Sequence, residues 1–208
     1  LYNSMIHPLK NFPVRGAIWY QGESNVDRWE QYTPLFQAMI NNWRDDWGKD
    51  MPFYFVQLAN FLERHDVQPG STWAHLREAQ ANALQLDNTG MAVAIDIGEA
   101  YDIHPKNKQE VGARLARAAL AGTYGKGTYA APRFESMKVK GDKPTGFVVC
   151  GADMQFHRAD VTVEKNVITV TAPGVKHPVA VRYGWADNPA CNLYGSDGLP
   201  VAPFRTDC

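Results

Sequence analysis

Apolar and polar residues alternate along the first 125 positions in a pattern typical of a parallel α/β layer. Continuous apolar runs predict three buried strands, at 14–20, 52–58 and 91–96. The first and third runs lead into polar segments that contain glycine. Because the carboxyl ends of parallel strands meet at one edge of a sheet, we expect these two polar segments to lie near the same rim.

Longer stretches between these runs have the three- and four-residue apolar spacing of amphipathic helices. One helix is predicted over 32–47, and Gly48 should end it. A second is predicted over about 73–86. A third is predicted to carry Pro105 in its first turn and to run to about residue 124, because proline suits the first turn of a helix.

The pattern changes after residue 130 into short apolar runs separated by turns. Lys165-Asn166, between two alternating runs, predicts a hairpin turn. We therefore expect residues 1–130 to form the α/β layer and residues 131–208 to form a small antiparallel β region packed on it. The runs that predict strands in this second part are 137–139, 146–149, 160–163, 167–170 and 179–183.

Composition excludes several classes of protein. The 208 residues are 45% apolar and 21% charged with a formal net charge of −1, so neither disorder nor electrostatic binding of nucleic acid is predicted. No apolar run approaches the 18 or so residues that span a bilayer, so no membrane partner is expected. Aromatic residues make up 12% of the chain and are assigned mainly to packing.

Cysteine and histidine spacings predict no metal site. The three cysteines form no C-x-x-C pair, and the histidines at 7, 65 and 75 have no metal-ligand spacing and are expected on loops or the surface. Cys191 and Cys208 flank a Gly/Pro-rich loop and could close a ring in an oxidising compartment, while Cys150 would stay unpaired.

The clearest candidate chemistry lies in Asp102-Ile103-His104-Pro105, which places a carboxylate and an imidazole on a loop before a helix. Such a pair can expose a general base and orient its other ring nitrogen. The same pattern also occurs as a helix cap with an incidental histidine. The segment alone therefore does not decide between these roles.

A second polar segment, Gln21-Gly22-Glu23-Ser24-Asn25, follows the first predicted strand. Its amides, its glycine N–H and the Glu23 carboxylate are the groups that build an oxyanion hole and hold a histidine. The alternative is an ordinary polar turn that begins the next helix. Because both segments are expected at one rim, the pair favours acyl transfer.

Several blocks of the chain occur in a distinctive order. They are Leu1-Tyr2-Asn3-Ser4-Met5, Trp19-Tyr20-Gln21-Gly22-Glu23-Ser24-Asn25, Trp43-Arg44, Pro52-Phe53-Tyr54, Arg77-Glu78-Ala79-Gln80, Asp96-Ile97-Gly98 and Asp102-Ile103-His104-Pro105, and the chain ends with Asn192-Leu193-Tyr194 and 203–207. These blocks, in this order, resemble the sialate O-acetylesterases. The resemblance covers nearly the whole chain.

The resemblance implies an SGNH-type hydrolase with a flavodoxin-like parallel sheet, which removes acetyl groups from hydroxyls of sialic acids or related sugars without a metal or organic cofactor. It implies that His104 is the general base. In the wider SGNH group the acid lies three residues earlier, where this chain has Tyr101, so Asp102 and Glu23 both remain candidates. Gln21, Gly22 and Asn25 are expected at the oxyanion or the substrate.

The family's nucleophilic serine lies in a Gly-Gln-Ser-Asn block, which these 208 residues do not contain. Ser24 belongs to the later Gln-Gly-Glu block, and Ser4 is an equally poor nucleophile candidate. We expect the serine to come from an N-terminal segment or a separate chain of the same enzyme, which would also cover an otherwise incomplete sheet edge. The chain alone would then be inactive.

The alternative is a non-catalytic module or fragment that binds glycan. The arginines at 44, 77 and 205 could pair with a sugar carboxylate, but structural ion pairs are expected for them. The first residues include no initiator Met and no basic leader, so we expect them not to be a native translation start. An extracytoplasmic location (periplasmic, secreted or lysosomal) is implied by the resemblance only.

Overall fold

The computed structural model describes residues 1–129, 138–139, 143–164 and 167–207. Its first part contains three strands, β1 (Ala17–Trp19), β2 (Phe53–Gln57) and β3 (Thr89–Val93). They form a parallel sheet in the order β1-β2-β3. Phe55 in the central strand pairs with Trp19 on one side and with Met91 on the other. The parallel α/β architecture predicted from the sequence is confirmed.

Helices cover both faces of this sheet because the side chains of the central strand alternate between two cores. Phe53 and Phe55 pack with α1 (Tyr32–Trp47) and α2 (Thr72–Ala81). Tyr54 and Val56 pack with α3 (Lys108–Gly122) on the opposite face. All five residues of β2 are buried, which explains why this strand reads as a continuous apolar run.

The helix bounds agree with the sequence prediction where a strong stop signal is present. Helix α1 has the predicted bounds, and Gly48 follows it in the left-handed conformation with φ of 60°. Helix α2 ends at Ala81, and a separate 3₁₀ turn over Asn82–Gln85 completes the predicted stretch. Another 3₁₀ segment, Glu23–Gln31, precedes α1.

The predicted start of α3 at Pro105 is wrong. The helix begins at Lys108, and Asn107 caps it by accepting a hydrogen bond from the backbone N–H of Glu110 at 3.2 Å. Asparagine satisfies one of the unpaired N–H groups at a helix start, which proline cannot do. Pro105 is buried just before the cap, at the end of the loop that carries His104.

The second part is antiparallel, as predicted. Its strands are β4 (Lys138–Val139), β5 (Phe147–Cys150), β6 (Phe156–Arg158), β7 (Asp160–Glu164), β8 (Val167–Thr171), β9 (Ala180–Tyr183), β10 (Leu193–Tyr194) and β11 (Phe204–Arg205). Strands β11-β9-β5-β6 form one sheet, β7 pairs with β8, and β4 pairs with β10. Strands β6, β10 and β11 have two or three residues and were not predicted. The hairpin turn predicted at 165–166 lies outside the described residues, and the division at residue 130 stays a prediction.

Arg77 in α2 joins the two parts. Its guanidinium is fully buried and donates to the carbonyl oxygens of Leu58 and Ala59, beyond the end of β2. It also donates to the carbonyls of Ala186 and Asp187 at 2.7 Å each. The predicted structural role of Arg77 is correct, but its partners are backbone carbonyls rather than the carboxylate of an ion pair.

Within the described ranges, no helix is both long enough and apolar enough to cross a membrane.

Candidate active site

The two polar segments singled out in the sequence follow β1 and β3, at the carboxyl end of the parallel sheet. Gln21-Gly22-Glu23 begins two residues after β1, and the loop that ends in His104 follows β3. This is the edge where open α/β sheets bind ligands. We refer to residues 21–25 as the acid turn and to residues 97–106 as the base loop.

The acid turn is held by hydrogen bonds between its own residues and by hydrogen bonds from the neighbouring helices. Gln21 Nε2 donates to Asn25 Oδ1 at 2.6 Å, and the Asn25 N–H donates to the carbonyl of Gly22 at 2.8 Å. The Gln21 carbonyl accepts from the Tyr32 hydroxyl and from Gln80 Nε2, each at 3.1 Å. The predicted pair Gln21 and Asn25 is therefore in direct contact, and the core of the molecule fixes the turn.

Gly22 occupies a position where a side chain does not fit. Its φ is 153°, which residues with a Cβ rarely adopt, and a Cβ built there would lie 2.8 Å from Gln80 Nε2. Its backbone is buried against α2. The glycine of the acid turn is thus required by the close approach of α2.

Gln80 is the principal support of the acid turn, and this role was not predicted from its place in the Arg77-Glu78-Ala79-Gln80 block. It is 1% exposed, and its Oε1 accepts from the backbone N–H of Leu58 at 2.9 Å. Its Nε2 donates to the carbonyls of Gln21 and Val56. One amide side chain therefore ties the acid turn to the end of the central strand.

Tyr20 connects the acid turn with the helix behind the base loop. Its ring packs against the apolar cores on both faces of the sheet, and Lys108 Nζ lies 4.7 Å from the ring centroid. Burial, and secondarily the Glu23 carboxylate, raise the pKa of Tyr20 to about 12. The Glu23 carboxylate is therefore close enough to Tyr20 to influence the pKa of its hydroxyl. Both lie at the rim where α3 begins with Lys108.

The base loop brings Asp102 and His104 together. Asp102 Oδ1 accepts from the backbone N–H of His104 at 2.9 Å, and the same oxygen lies 3.6 Å from His104 Nδ1. The second distance is too long for a hydrogen bond. The His104 side chain is 85% exposed and that of Asp102 is 43% exposed, so the imidazole is accessible and adjacent to a carboxylate.

Backbone contacts define the base loop. The Leu62 N–H donates to the carbonyl of Ala100 at 3.0 Å, and Glu99 pairs with Asp102 in a short antiparallel bridge. Lys106 donates its N–H to Glu99 and lies 3.1 Å from it in an ion pair. The loop is therefore ordered, while its acid and base remain open to solvent.

Asn60 anchors the start of the base loop and was not predicted. Its Oδ1 accepts from the Gly98 N–H at 2.7 Å, and its Nδ2 donates to Asn188 Oδ1 at 2.8 Å. A Cβ at Gly98 would lie 1.9 Å from the Asn60 carbonyl oxygen, so only glycine fits. The Asp-Ile-Gly block of the sequence thus has a steric cause.

Glu23 and His104 have no hydrogen bond or ion pair with each other among the described residues. His104 can accept a proton, and two carboxylates are candidates to support it. Asp102 lies beside it in the base loop, and Glu23 lies on the acid turn. Ser24 lies on the exposed side of the acid turn, and Ser4 lies in a short helix near the start of the chain. No group of three or more potential metal ligands occurs in the described ranges.

The other histidine and arginine predictions have mixed outcomes. The prediction that His75 lies on a loop or at the surface is wrong. His75 lies on α2, between the rings of Trp29 and Trp185, and its ring is stacked on that of Trp29 with 4.1 Å between the centroids. Arg205 makes the expected structural ion pair, with Glu78 at 2.8 Å. Arg44 likewise pairs with Asp50 at 3.1 Å and donates to the carbonyls of Met51 and Asp87. The proposed ring between Cys191 and Cys208 lies partly outside the described residues.

Comparisons with known proteins agree on one family. A family model described as carbohydrate esterase, sialic acid-specific acetylesterase, matches residues 1–121. Among curated relatives, a sialate O-acetylesterase of Homo sapiens is 30% identical over 98% of this chain and 48% of its own length. One of Mus musculus is 29% identical over 98% of this chain and 46% of its own length.

A solved structure described as a novel carbohydrate acetylesterase from Xanthomonas citri is similar throughout. It is 43% identical, with a TM-score of 0.88, and the match covers 99% of this chain and 53% of that chain. The fold class is therefore shared with a carbohydrate esterase. The chain spans about half the length of the curated relatives that it matches.

Proposed function

Because this chain belongs to the sialic acid-specific acetylesterase family of carbohydrate esterases, we propose that it hydrolyses O-acetyl esters on sialic acids or related sugars. The observation that carries the proposal is the placement of the acid turn and the base loop at one edge of the parallel sheet. An accessible imidazole, nearby carboxylates and a glycine-containing turn are the groups that acyl transfer requires.

In the proposed mechanism, His104 takes the proton of a serine hydroxyl as the serine oxygen bonds to the acetyl carbonyl carbon. Gln21, Gly22 and Asn25 stabilise the resulting oxyanion or hold the substrate. The bond to the sugar oxygen then breaks, and that oxygen takes the proton from the imidazolium. Water then reacts with the acyl-enzyme: His104 takes one proton of the water as the water oxygen bonds to the acyl carbon. The bond to the serine oxygen breaks, the serine oxygen takes that proton from the imidazolium, and acetic acid leaves.

Asp102 and Glu23 are the two candidates for the group that orients and stabilises the charged His104. Asp102 has the shorter approach, 3.6 Å to Nδ1, and also accepts from the His104 backbone. Glu23 is held on the more rigid turn. Replacing Asp102 by Asn and Glu23 by Gln in separate variants distinguishes them, because loss of the true partner should lower kcat by more than about 100-fold.

We propose that the serine is supplied by a segment outside these 208 residues, seated along β1. In support, β1 pairs only with β2 in the described sheet, and its central residue Ile18 is 67% exposed. Exposed strand edges of this kind are normally covered in a native protein. An apolar groove lined by Leu1, Met5 and Leu35 adds to the uncovered surface.

The test is a mass and peptide analysis of everything that co-purifies with the native protein, with acetylester hydrolysis measured before and after a serine-reactive phosphonate. We expect the label on a Gly-Gln-Ser-Asn peptide outside residues 1–208, and loss of turnover in His104→Ala. A protein that contains only these residues, takes up no label and hydrolyses no acetylester would contradict the proposal and leave glycan binding as the remaining function.

A further inference from the structure

Tyr101 projects into solvent from the base loop, three residues before His104. Its side chain is 93% exposed, the highest value for any aromatic residue in the described ranges. The neighbouring Ile103 is also exposed. Aromatic side chains carry a large apolar area that is stabilised when it is covered, so an open ring on the same loop as a candidate base is available to contact a ligand.

The backbone on both sides of Tyr101 is fixed. The carbonyl of Ala100 accepts from the Leu62 N–H at 3.0 Å, and Asp102 pairs with Glu99 in the antiparallel bridge. Asp102 also holds the backbone of His104. The backbone on either side of Tyr101 is thus held in the loop that also carries the imidazole, which lowers the entropic cost of using the ring as a binding platform.

We propose that Tyr101 is a specificity-determining residue whose ring stacks on the pyranose ring of the substrate while the acetyl group is presented to His104. The inference rests on the proposed esterase function. A sugar ring has an apolar C–H face that an aromatic ring can cover, and the exposed position of Tyr101 leaves its face available.

The proposal predicts a difference between two substrates in the complete esterase. In Tyr101→Ala, kcat/KM for an O-acetylated methyl sialoside should fall about tenfold, mainly through a higher KM. Turnover of p-nitrophenyl acetate, which has no sugar ring to stack, should stay within about twofold. Tyr101→Phe, which keeps the ring, should retain the activity on the sialoside.

The matched control is Tyr124→Ala, because Tyr124 is also exposed but follows the end of α3 at the opposite edge of the sheet. This variant should change the kinetics on neither substrate. A loss on both substrates in Tyr101→Ala would make Tyr101 a structural support of the base loop, and unchanged kinetics on both would show that the ring does not meet the sugar. Either result overturns the proposal.

A second readout separates this inference from the esterase function itself. Saturation-transfer NMR with a methyl sialoside that carries no O-acetyl ester measures contact between the protein and the sugar without catalysis. If the wild-type protein hydrolyses neither ester, the proposed function fails, yet a saturation signal that is lost in Tyr101→Ala and kept in Tyr101→Phe still supports stacking. Equal signals in wild type and Tyr101→Ala overturn stacking whatever the esterase result.

Discussion

The acid turn and the base loop lie at the same edge of the sheet but are held in different ways. The acid turn is bonded by buried side chains from α1 and α2, with Gln80 at the centre. The base loop is held by backbone contacts, by the Asp102 and Glu99 carboxylates and by Asn60 at its start, and its imidazole is open to solvent. The acid turn is therefore fixed by buried side chains of the protein core, whereas the base loop is fixed mainly at its backbone and leaves its reactive side chains open to solvent.

The largest expected effect is on activity, in the base loop. His104→Ala should lower kcat/KM of the complete esterase by about 10²–10⁴-fold, the usual contribution of a general base. The free energy of unfolding should change by less than about 0.5 kcal/mol, because the side chain is mostly exposed. Steady-state kinetics and urea denaturation of the same sample measure both, and a large loss of stability would show that the His104 side chain helps to hold the base loop.

The acid turn should respond in the opposite way. Gln80→Leu leaves the Leu58 N–H and the Gln21 carbonyl without this partner in a buried setting, and it should lower the free energy of unfolding by about 2–4 kcal/mol. The matched control is Gln85→Leu, an exposed position just beyond α2, which should cost less than about 0.5 kcal/mol. Similar urea midpoints for the two variants would remove Gln80 as the support of the turn.

A smaller effect is expected from the hydrogen bond between the Asp102 side chain and the His104 backbone inside the base loop. Asp102→Ala removes the acceptor for the His104 N–H and should cost about 0.5–1 kcal/mol of stability, since the bond is partly exposed. Asp102→Asn keeps a side-chain oxygen at that place and should restore most of the loss. Amide hydrogen exchange at His104 provides the local measurement, and equal protection in both variants would argue against this bond.

The smallest expected effect is a pH dependence of the free energy of unfolding that comes from His75, on the helix that supports the acid turn. Burial, followed by the charge of Arg205, lowers the pKa of His75 below its ordinary 6.5 in the folded state. The unfolded chain therefore binds more protons between the folded pKa and 6.5, so stability should fall as the pH drops through that window. His75→Phe keeps a ring against Trp29 and should flatten this slope.

The control for this titration is His65→Phe, at an exposed loop position. It should leave the slope of unfolding free energy against pH unchanged between about pH 5 and 7. A wild-type slope that persists in His75→Phe would assign the proton uptake to another group.

Elements with local signals were predictable, and those that depend on distant partners were not. Helix α1 has its predicted bounds because apolar spacing and Gly48 act within the helix itself. The start of α3 was misplaced because Pro105 and Asn107 are both acceptable near a helix start, and only the hydrogen bond to Glu110 decides between them. Strands of two or three residues, such as β6 and β11, are too short to show alternation.

The same distinction applies to the candidate site. The two polar segments could be located because each follows an apolar run, and parallel strands bring their ends to one rim. The contact of Gln80 with Gln21 spans 59 positions, and that of Asn60 with Asn188 spans 128. No periodicity in a single sequence reports such pairs, so the supports of the site became visible only in the fold.

The Arg77 clamp makes the two parts of the molecule unsuitable for separation by protein engineering. A version cut before residue 186 would keep a buried cation while removing two of its four carbonyl acceptors. Chimeras between related esterases should therefore exchange α2 and the segment around 186–187 as one block. A protein divided into its α/β layer and its β region would separate Arg77 from two of its acceptors. The segments that must be kept together therefore come from both regions.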